Sequence, residues 1–234
     1  MDVSLRSLGR VHSCFREKFG IPRQSGLVPE ARARIEILPP FDRDEAFGGL
    51  ESFSHLWVIF VFHQCLRQDW KPTVRPPRLG GNRRVGVFAS RSTFRPNPLG
   101  LSVVRFEGLR REQGRLYLEI SGVDLLDGTP VVDIKPYLPW ADSLPGARAG
   151  YAPEAPVPAG QLRFSELAEA QCREREKDYP QLRALIENLL RLDPRPAYRG
   201  AEQEGSYAMR LLDFDLRWRI RDGEIEVLAL ESTG

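Results

Sequence analysis

The chain has 234 residues, 41% of them hydrophobic and 28% charged, with a formal net charge of +2. At about 150 residues per domain this length gives one large domain or two small ones, and the balance excludes wholesale disorder and a collagen-like fibre. The longest apolar run, Leu56 to Phe62, falls far short of the roughly 20 residues of a membrane-spanning helix.

The N-terminus shows no basic region followed by an apolar core, so no export signal is expected. Cys14, Cys65 and Cys172 are isolated, with no CxxC pair. This fits reduced thiols in a cytoplasmic protein better than a disulfide scaffold or a zinc site. In chain order, Ala31 to Leu38 alternates and predicts a strand, with Ile35 and Ile37 on its apolar side. Leu56 to Phe62, rich in Val, Ile, Trp and Phe, predicts a strand buried on both faces. Val85 to Ala89, Leu101 to Leu109, Leu116 to Ile120 and Pro130 to Ile134 are further short strands, with a hairpin turn between Leu109 and Leu116. About six closely spaced strands without convincing crossover helices point to a mainly β domain, a barrel or a sandwich.

A Pro-, Gly- and Ala-rich run after Lys135 reads as a linker, dividing the chain near residue 145. Residues 146–234 then form a smaller α+β domain. Ser165 is the expected N-cap of a helix from Glu166 to about Asp178, with Leu167, Ala170 and Gln171 on one side. Pro180 opens a second helix whose Leu182, Leu185, Ile186, Leu189 and Leu190 recur at core-facing spacing. Leu212, Phe214, Leu216, Trp218 and Ile220 alternate with polar residues before the turn Asp222-Gly223, a strong hairpin signal leading into Ile225 to Leu230.

The charge is unevenly placed. From Lys71 to Arg105 there are eight arginines and lysines and no Asp or Glu. Gly80, Gly81, Asn82, Pro96, Asn97 and Pro98 make much of this stretch loop, a positive surface suited to phosphate or another anion. Nucleotide-binding, zinc-protease and serine-nucleophile signatures are all missing. Three polar clusters remain: Pro22-Arg23-Gln24-Ser25-Gly26, Ser90 to Gly100, and Asp124 to Pro130, with His63 and Gln64 where a strand emerges. Each has an ordinary reading as turn chemistry or a strand-end histidine bonded to backbone. Spacing alone does not show that they meet.

The run GGNRRVGVFASRSTFRPNPLGLSVV, together with PRQSG, DLLDGTPVVDIKPYLPWAD and the late DPRPAY, strongly resembles the TrmO family over nearly the whole chain. The stretch Ser92-Thr93-Phe94-Arg95 stands where a Ser-Pro-Phe-Arg form is familiar. The resemblance implies a small antiparallel β-barrel followed by an α+β appendage, in a homodimer. It implies an S-adenosylmethionine-dependent enzyme that methylates N6 of threonylcarbamoyl-adenosine, position 37, 3′ to the anticodon of threonine-accepting tRNA. Carried over residue by residue, the cofactor site falls on Pro22, Arg23, Gln24, His63, Gln64, Arg91, Leu101, Asp124, Leu125, Leu126 and Asp127.

Within that frame Asp124 or Asp127 would bind ribose or amino groups. Asp133 would serve as the base, with Asp142 as second choice, although an Asp133–Lys135 surface pair explains the same pattern. The tRNA phosphates would meet Arg83, Arg84 and Arg95, with Arg195 and Tyr198 contributing from the second domain. Phe94, Tyr137 or Trp140 could stack a base. Two other classes fit the sequence: a non-catalytic S-adenosylmethionine sensor and a plain RNA-binding barrel.

Overall fold

The computed structural model describes residues 2–66, 69–80, 82–158, 160–195 and 204–233. The first part of the chain carries strands β1 (Gly9–Ser13), β2 (Arg32–Ile37), β3 (His55–Val61), β4 (Thr73–Val74), β5 (Val85–Gly86), β6 (Leu99–Glu112), β7 (Arg115–Ser121) and β8 (Pro130–Pro136). Six of them close into an antiparallel barrel in the order β1-β2-β7-β6-β3-β8. The barrel, not the sandwich, is therefore the architecture. The short pair β4–β5 stands apart as a two-stranded ribbon.

Alternation decides which side chains fill the barrel. Val11, Ile35, Ile37, Leu56, Val58, Val104, Leu118, Ile120 and Val131 are all almost fully buried and form one contiguous cluster. The six-residue arginine-rich segment between Leu109 and Leu116 is mostly strand. Only Gln113 (φ 51°) and Gly114 (φ 79°) turn, in the left-handed region that a two-residue hairpin requires. Gly100 of β6 is needed for a different reason: a Cβ there would overlap the Phe60 ring.

Three expectations change. The strand read as doubly buried is buried on one face only: Leu56, Val58 and Phe60 point inward, while Trp57, Ile59 and Val61 are half-exposed on the outer wall. Its continuous apolar run reflects an outer face that is also apolar. Val85 to Ala89 holds only a two-residue strand before a 3-10 turn at Val87–Ala89, because the backbone there pairs with β4 alone. β1, β4 and the later strands Leu162–Phe164 and Gly205–Leu211 have no counterpart in the sequence reading. β1 is a short segment with Gly, His and Ser, which masks its period.

The second part holds α1 (Pro139–Asp142), β9 (Leu162–Phe164), α2 (Glu166–Arg175), α3 (Leu182–Arg191), β10 (Gly205–Leu211), β11 (Phe214–Arg221) and β12 (Glu224–Ser232). The sheet order is β10-β11-β12-β9, with β9 parallel to β12. The Ser165 hydroxyl accepts from the Ala168 N–H at 3.1 Å, as an N-cap should. The buried face of α2 is nevertheless Ala168 and Cys172, and Leu167 is exposed. The helix is rotated from the expected face because its small residues let it lie close on the sheet. α3 buries Leu182, Leu185, Ile186, Leu189 and Leu190 as its spacing predicts.

The two parts share one core. The Leu212 N–H donates to the Cys14 carbonyl at 2.7 Å, Phe15 bridges to Leu211, and Phe19 stacks on Trp218 with centroids 5.9 Å apart. Gly100→Ala drives a methyl group into Phe60, so it should lower unfolding free energy by about 1–3 kcal/mol in urea melts. An unchanged midpoint would mean that the ring moves aside freely.

Candidate functional site

A cleft of about 1630 Å³ opens on the outer side of the barrel. Its walls come from the loop after β1, the β4–β5 ribbon, the 89–96 loop, the outer faces of β3 and β6, and the segment 148–156. That last segment lies in the proline-rich linker, which is thus a wall of the site as well as a connector. Eight arginines and lysines against three carboxylates line the cleft among the described residues.

The 89–96 loop is braced by its own polar groups. The Ser90 hydroxyl donates to the Val87 carbonyl at 2.8 Å, the Phe94 N–H donates to the Ser92 hydroxyl at 3.2 Å, and Arg95 donates to the Ser90 carbonyl at 3.2 Å. This holds Arg91 against the loop after β1, where its guanidinium donates to the Gln24 side-chain carbonyl. Behind them the buried Ser102 hydroxyl, facing into the barrel from β6, donates to Asp124 Oδ1 at 2.6 Å. Burial raises the Asp124 pKa; the hydrogen bonds from Ser102 and from the backbone at Asp124 and Ser25, and the charge of Arg91, partly oppose that rise. Gln24, Arg91 and Asp124, 100 residues apart at the extremes, therefore converge.

The other expected cofactor residues divide. Arg23, Gln24, Arg91 and Leu101 line the cleft, and Leu101 is 54% exposed on its wall. Pro22 is buried beside it. His63 and Gln64 sit in the 3-10 turn after β3, whose next residue, Cys65, lines the cleft and donates to the Thr93 hydroxyl at 3.4 Å. Burial first, and then the Lys18 ammonium, lower the His63 pKa, against a hydrogen bond with the Val61 backbone. Leu125 and Leu126 are buried apolar side chains. The Asp127 carboxylate turns elsewhere. It accepts from the Ser13 N–H at 2.9 Å and from Arg16, which ties the loop to β1.

Asp133 does not line the cleft. It pairs with Lys135 at 2.8 Å on the outer wall of β8, in the cross-strand row Leu101–Ile59–Asp133, two strands from Leu101. The surface-pair alternative is what the structure contains. Asp142 does line the cleft, and it accepts from Trp57 Nε1 at 2.9 Å and the Leu138 N–H at 2.8 Å.

Of the expected RNA contacts, Arg84, Arg95, Phe94 and Tyr137 line the cleft, Arg83 is exposed beyond its wall, and Trp140 is 83% exposed. Arg195 is a correction. It is only 5% exposed, bonded to Asp193 at 2.7 and 2.8 Å and set over the Tyr207 ring. A guanidinium held this way braces the turn after α3 and does not meet solvent. Tyr198 lies outside the described residues. Cleft residues missed from sequence include Trp70 and Phe88, aromatic positions among prolines and arginines with no periodic signal, and Arg148 and Tyr151 of the linker.

Residues 10–143 match the tRNA-methyltransferase O N-terminal domain model, and residues 158–233 match the TrmO C-terminal domain model. The chain belongs to the TrmO family. It is 51% identical over 231 residues to a tRNA (adenine(37)-N6)-methyltransferase of Escherichia coli K12, covering 98% of each chain. It is 52% identical over 219 residues to a putative S-adenosylmethionine-dependent methyltransferase of Pseudomonas aeruginosa, covering 93% of each. A crystal structure of TrmO from Pseudomonas aeruginosa superposes with a TM-score of 0.80 at 44% identity, covering 99% of both chains.

The raised pKa of Asp124 fixes a pH dependence. A carboxyl favoured in its protonated form by the fold contributes stability at low pH and loses it as pH rises through its elevated folded pKa. Asp124→Asn removes that loss, so urea melts should show the variant gaining stability relative to the parent as pH rises from about 4 to 7. A difference constant with pH would contradict the burial of this charge.

Proposed function

We propose that the chain is a tRNA methyltransferase that transfers the methyl group of S-adenosylmethionine to N6 of adenine 37, in its threonylcarbamoyl form, in threonine-accepting tRNA. The observation that carries the reading is the Gln24–Arg91 pair backed by Asp124 at one end of a basic cleft, in a chain that aligns end to end with a named enzyme of that activity.

The donor set suits the cofactor. S-adenosylmethionine presents a carboxylate, an ammonium, ribose hydroxyls and an apolar-faced adenine. Arg91 offers a guanidinium, Gln24 an amide, and Leu27, Leu101 and Trp57 an apolar wall. When bound, the cofactor supplies an electrophilic methyl group. The chain's own residues orient the ligand: the braced 89–96 loop fixes Arg91, and the linker segment lines the same cleft. Transfer would break the sulfur–methyl bond, leave S-adenosylhomocysteine and release the N6 proton, for which Asp142 is the base candidate that lines the cleft. The carbamoyl group makes that N–H more acidic and its nitrogen less nucleophilic. Alignment is therefore the main demand, and positioning of this kind supplies roughly 7–11 kcal/mol of barrier reduction.

The same reading includes a cytoplasmic homodimer. The outer faces of β3 and β6 leave Ile59, Val61 and Leu99 as a part-exposed apolar strip, surface of the kind a two-fold partner covers. The cleft cations would hold the tRNA by its phosphates, which makes affinity fall with added salt.

The test is nucleoside mass spectrometry of tRNA from cells lacking this modification, after incubation with the chain and S-adenosylmethionine. A single methyl gained on threonylcarbamoyl-adenosine, and lost with Arg91→Ala, is the expected result. Cofactor binding with every tRNA unmodified would indicate a sensor, and cofactor-independent RNA binding alone would indicate a passive barrel.

A further inference from the structure

Two large aromatic side chains of the cleft stand in solvent, Trp70 at 51% and Phe88 at 74% exposure. Their ring centroids are 6.3 Å apart and the planes are inclined at 38°. The ribbon sets them side by side. Thr73 pairs with Gly86, the Val87 N–H donates to the Pro72 carbonyl at 2.9 Å, and Val87 itself is buried as the anchor. Trp70 leads into β4 and Phe88 follows β5, so the ribbon brings both rings together where they face water.

Cations flank the rings. Lys71, Arg75 and Arg84 belong to the ribbon and its approaches and line the same cleft. Arg84 rests on the Thr73 hydroxyl at 3.5 Å, at the edge of hydrogen-bonding distance. An apolar protein surface would satisfy the rings but strand these charges away from water. A polyanion that also carries planar π faces satisfies both at once. Single-stranded nucleic acid has that chemistry: unstacked bases lie on aromatic faces and the backbone follows the cations.

We propose that Trp70 and Phe88 form the stacking platform for an unpaired base of the RNA loop, with Lys71 and Arg84 on the flanking phosphates. This rests on the reading of the chain as a tRNA methyltransferase and adds to it the residues that open the substrate. An exocyclic amine inside a stacked anticodon loop cannot be approached in line by a methyl donor, so the loop must be unstacked first. The platform replaces the stacking partner that a displaced base loses.

The test measures binding of an anticodon stem-loop RNA by fluorescence anisotropy at fixed salt, with calorimetric binding of S-adenosylmethionine and melting temperature as controls. Trp70→Ala and Phe88→Ala should each weaken RNA binding by about 5–150-fold, with cofactor binding and melting temperature as in the parent. Trp70→Phe and Phe88→Tyr, which keep a π face, should restore binding. Alanine variants that bind the stem-loop as tightly as the parent overturn the platform, while methylation by the parent would leave the enzymatic reading standing. Alanine variants that lose cofactor binding to the same extent also overturn it, because the rings would then belong to the cofactor pocket. A parent chain that neither binds nor methylates tRNA overturns both.

Discussion

Closure of the barrel between β1 and β8 is the constraint on which the site depends. Only Gly9↔Val131 and Arg10↔Pro130 pair directly across that seam. The connection from β7 to β8 extends it: the Gly128 N–H donates to the Val11 carbonyl, the Val11 N–H to the Thr129 carbonyl and the Asp127 N–H to the Phe15 carbonyl, at 2.8, 2.9 and 2.9 Å. β1 also runs close to β2, where a Cβ on Gly9 would lie 2.7 Å from Ile35 Cγ2 and 2.9 Å from the Glu36 carbonyl. Closing the sheet removes its edges and fixes the 122–129 connection, and with it Asp124.

Once that connection is fixed, the two aspartates of the turn take opposite tasks. Asp127 looks toward β1 and Arg16 and holds the loop. Asp124 looks toward Ser102, with the charge of Arg91 nearby. Its buried charge is unfavourable in the fold alone, so the structure keeps an energetic cost at the place where polar binding groups gather. The linker adds a second coupling: it joins the barrel to the sheet of β9 to β12 and also lines the cleft.

Much of the fold was legible in the residues. Strands with clean alternation, the leucines of α3, the Ser165 cap and the Asp222-Gly223 turn all follow from local pattern, because local spacing and backbone preference determine them. The failures share a cause. Trp57, Ile59 and Val61 are apolar on an outer face, so the run around them looked doubly buried. Leu167, Ala170 and Gln171 share a side of α2, but the face that packs is that of Ala168 and Cys172, whose small side chains allow a close approach. For the site, the convergence of Gln24, Arg91 and Asp124 is a product of barrel topology that no spacing rule contains. Arg195 looked like a surface cation since an arginine's burial depends on a carboxylate nearby, here Asp193, and on Tyr207. Trp70 and Phe88 become a pair only when the ribbon folds.

The most direct measurement is a crystal structure of the chain grown with S-adenosylhomocysteine, the demethylated form of the proposed cofactor. Density should lie between the Gln24–Arg91 pair and the Leu101 wall, with its sulfur open to the basic cleft. Ligand bound instead against Arg16 and Asp127, on the side of the loop that faces the second sheet, would contradict the account.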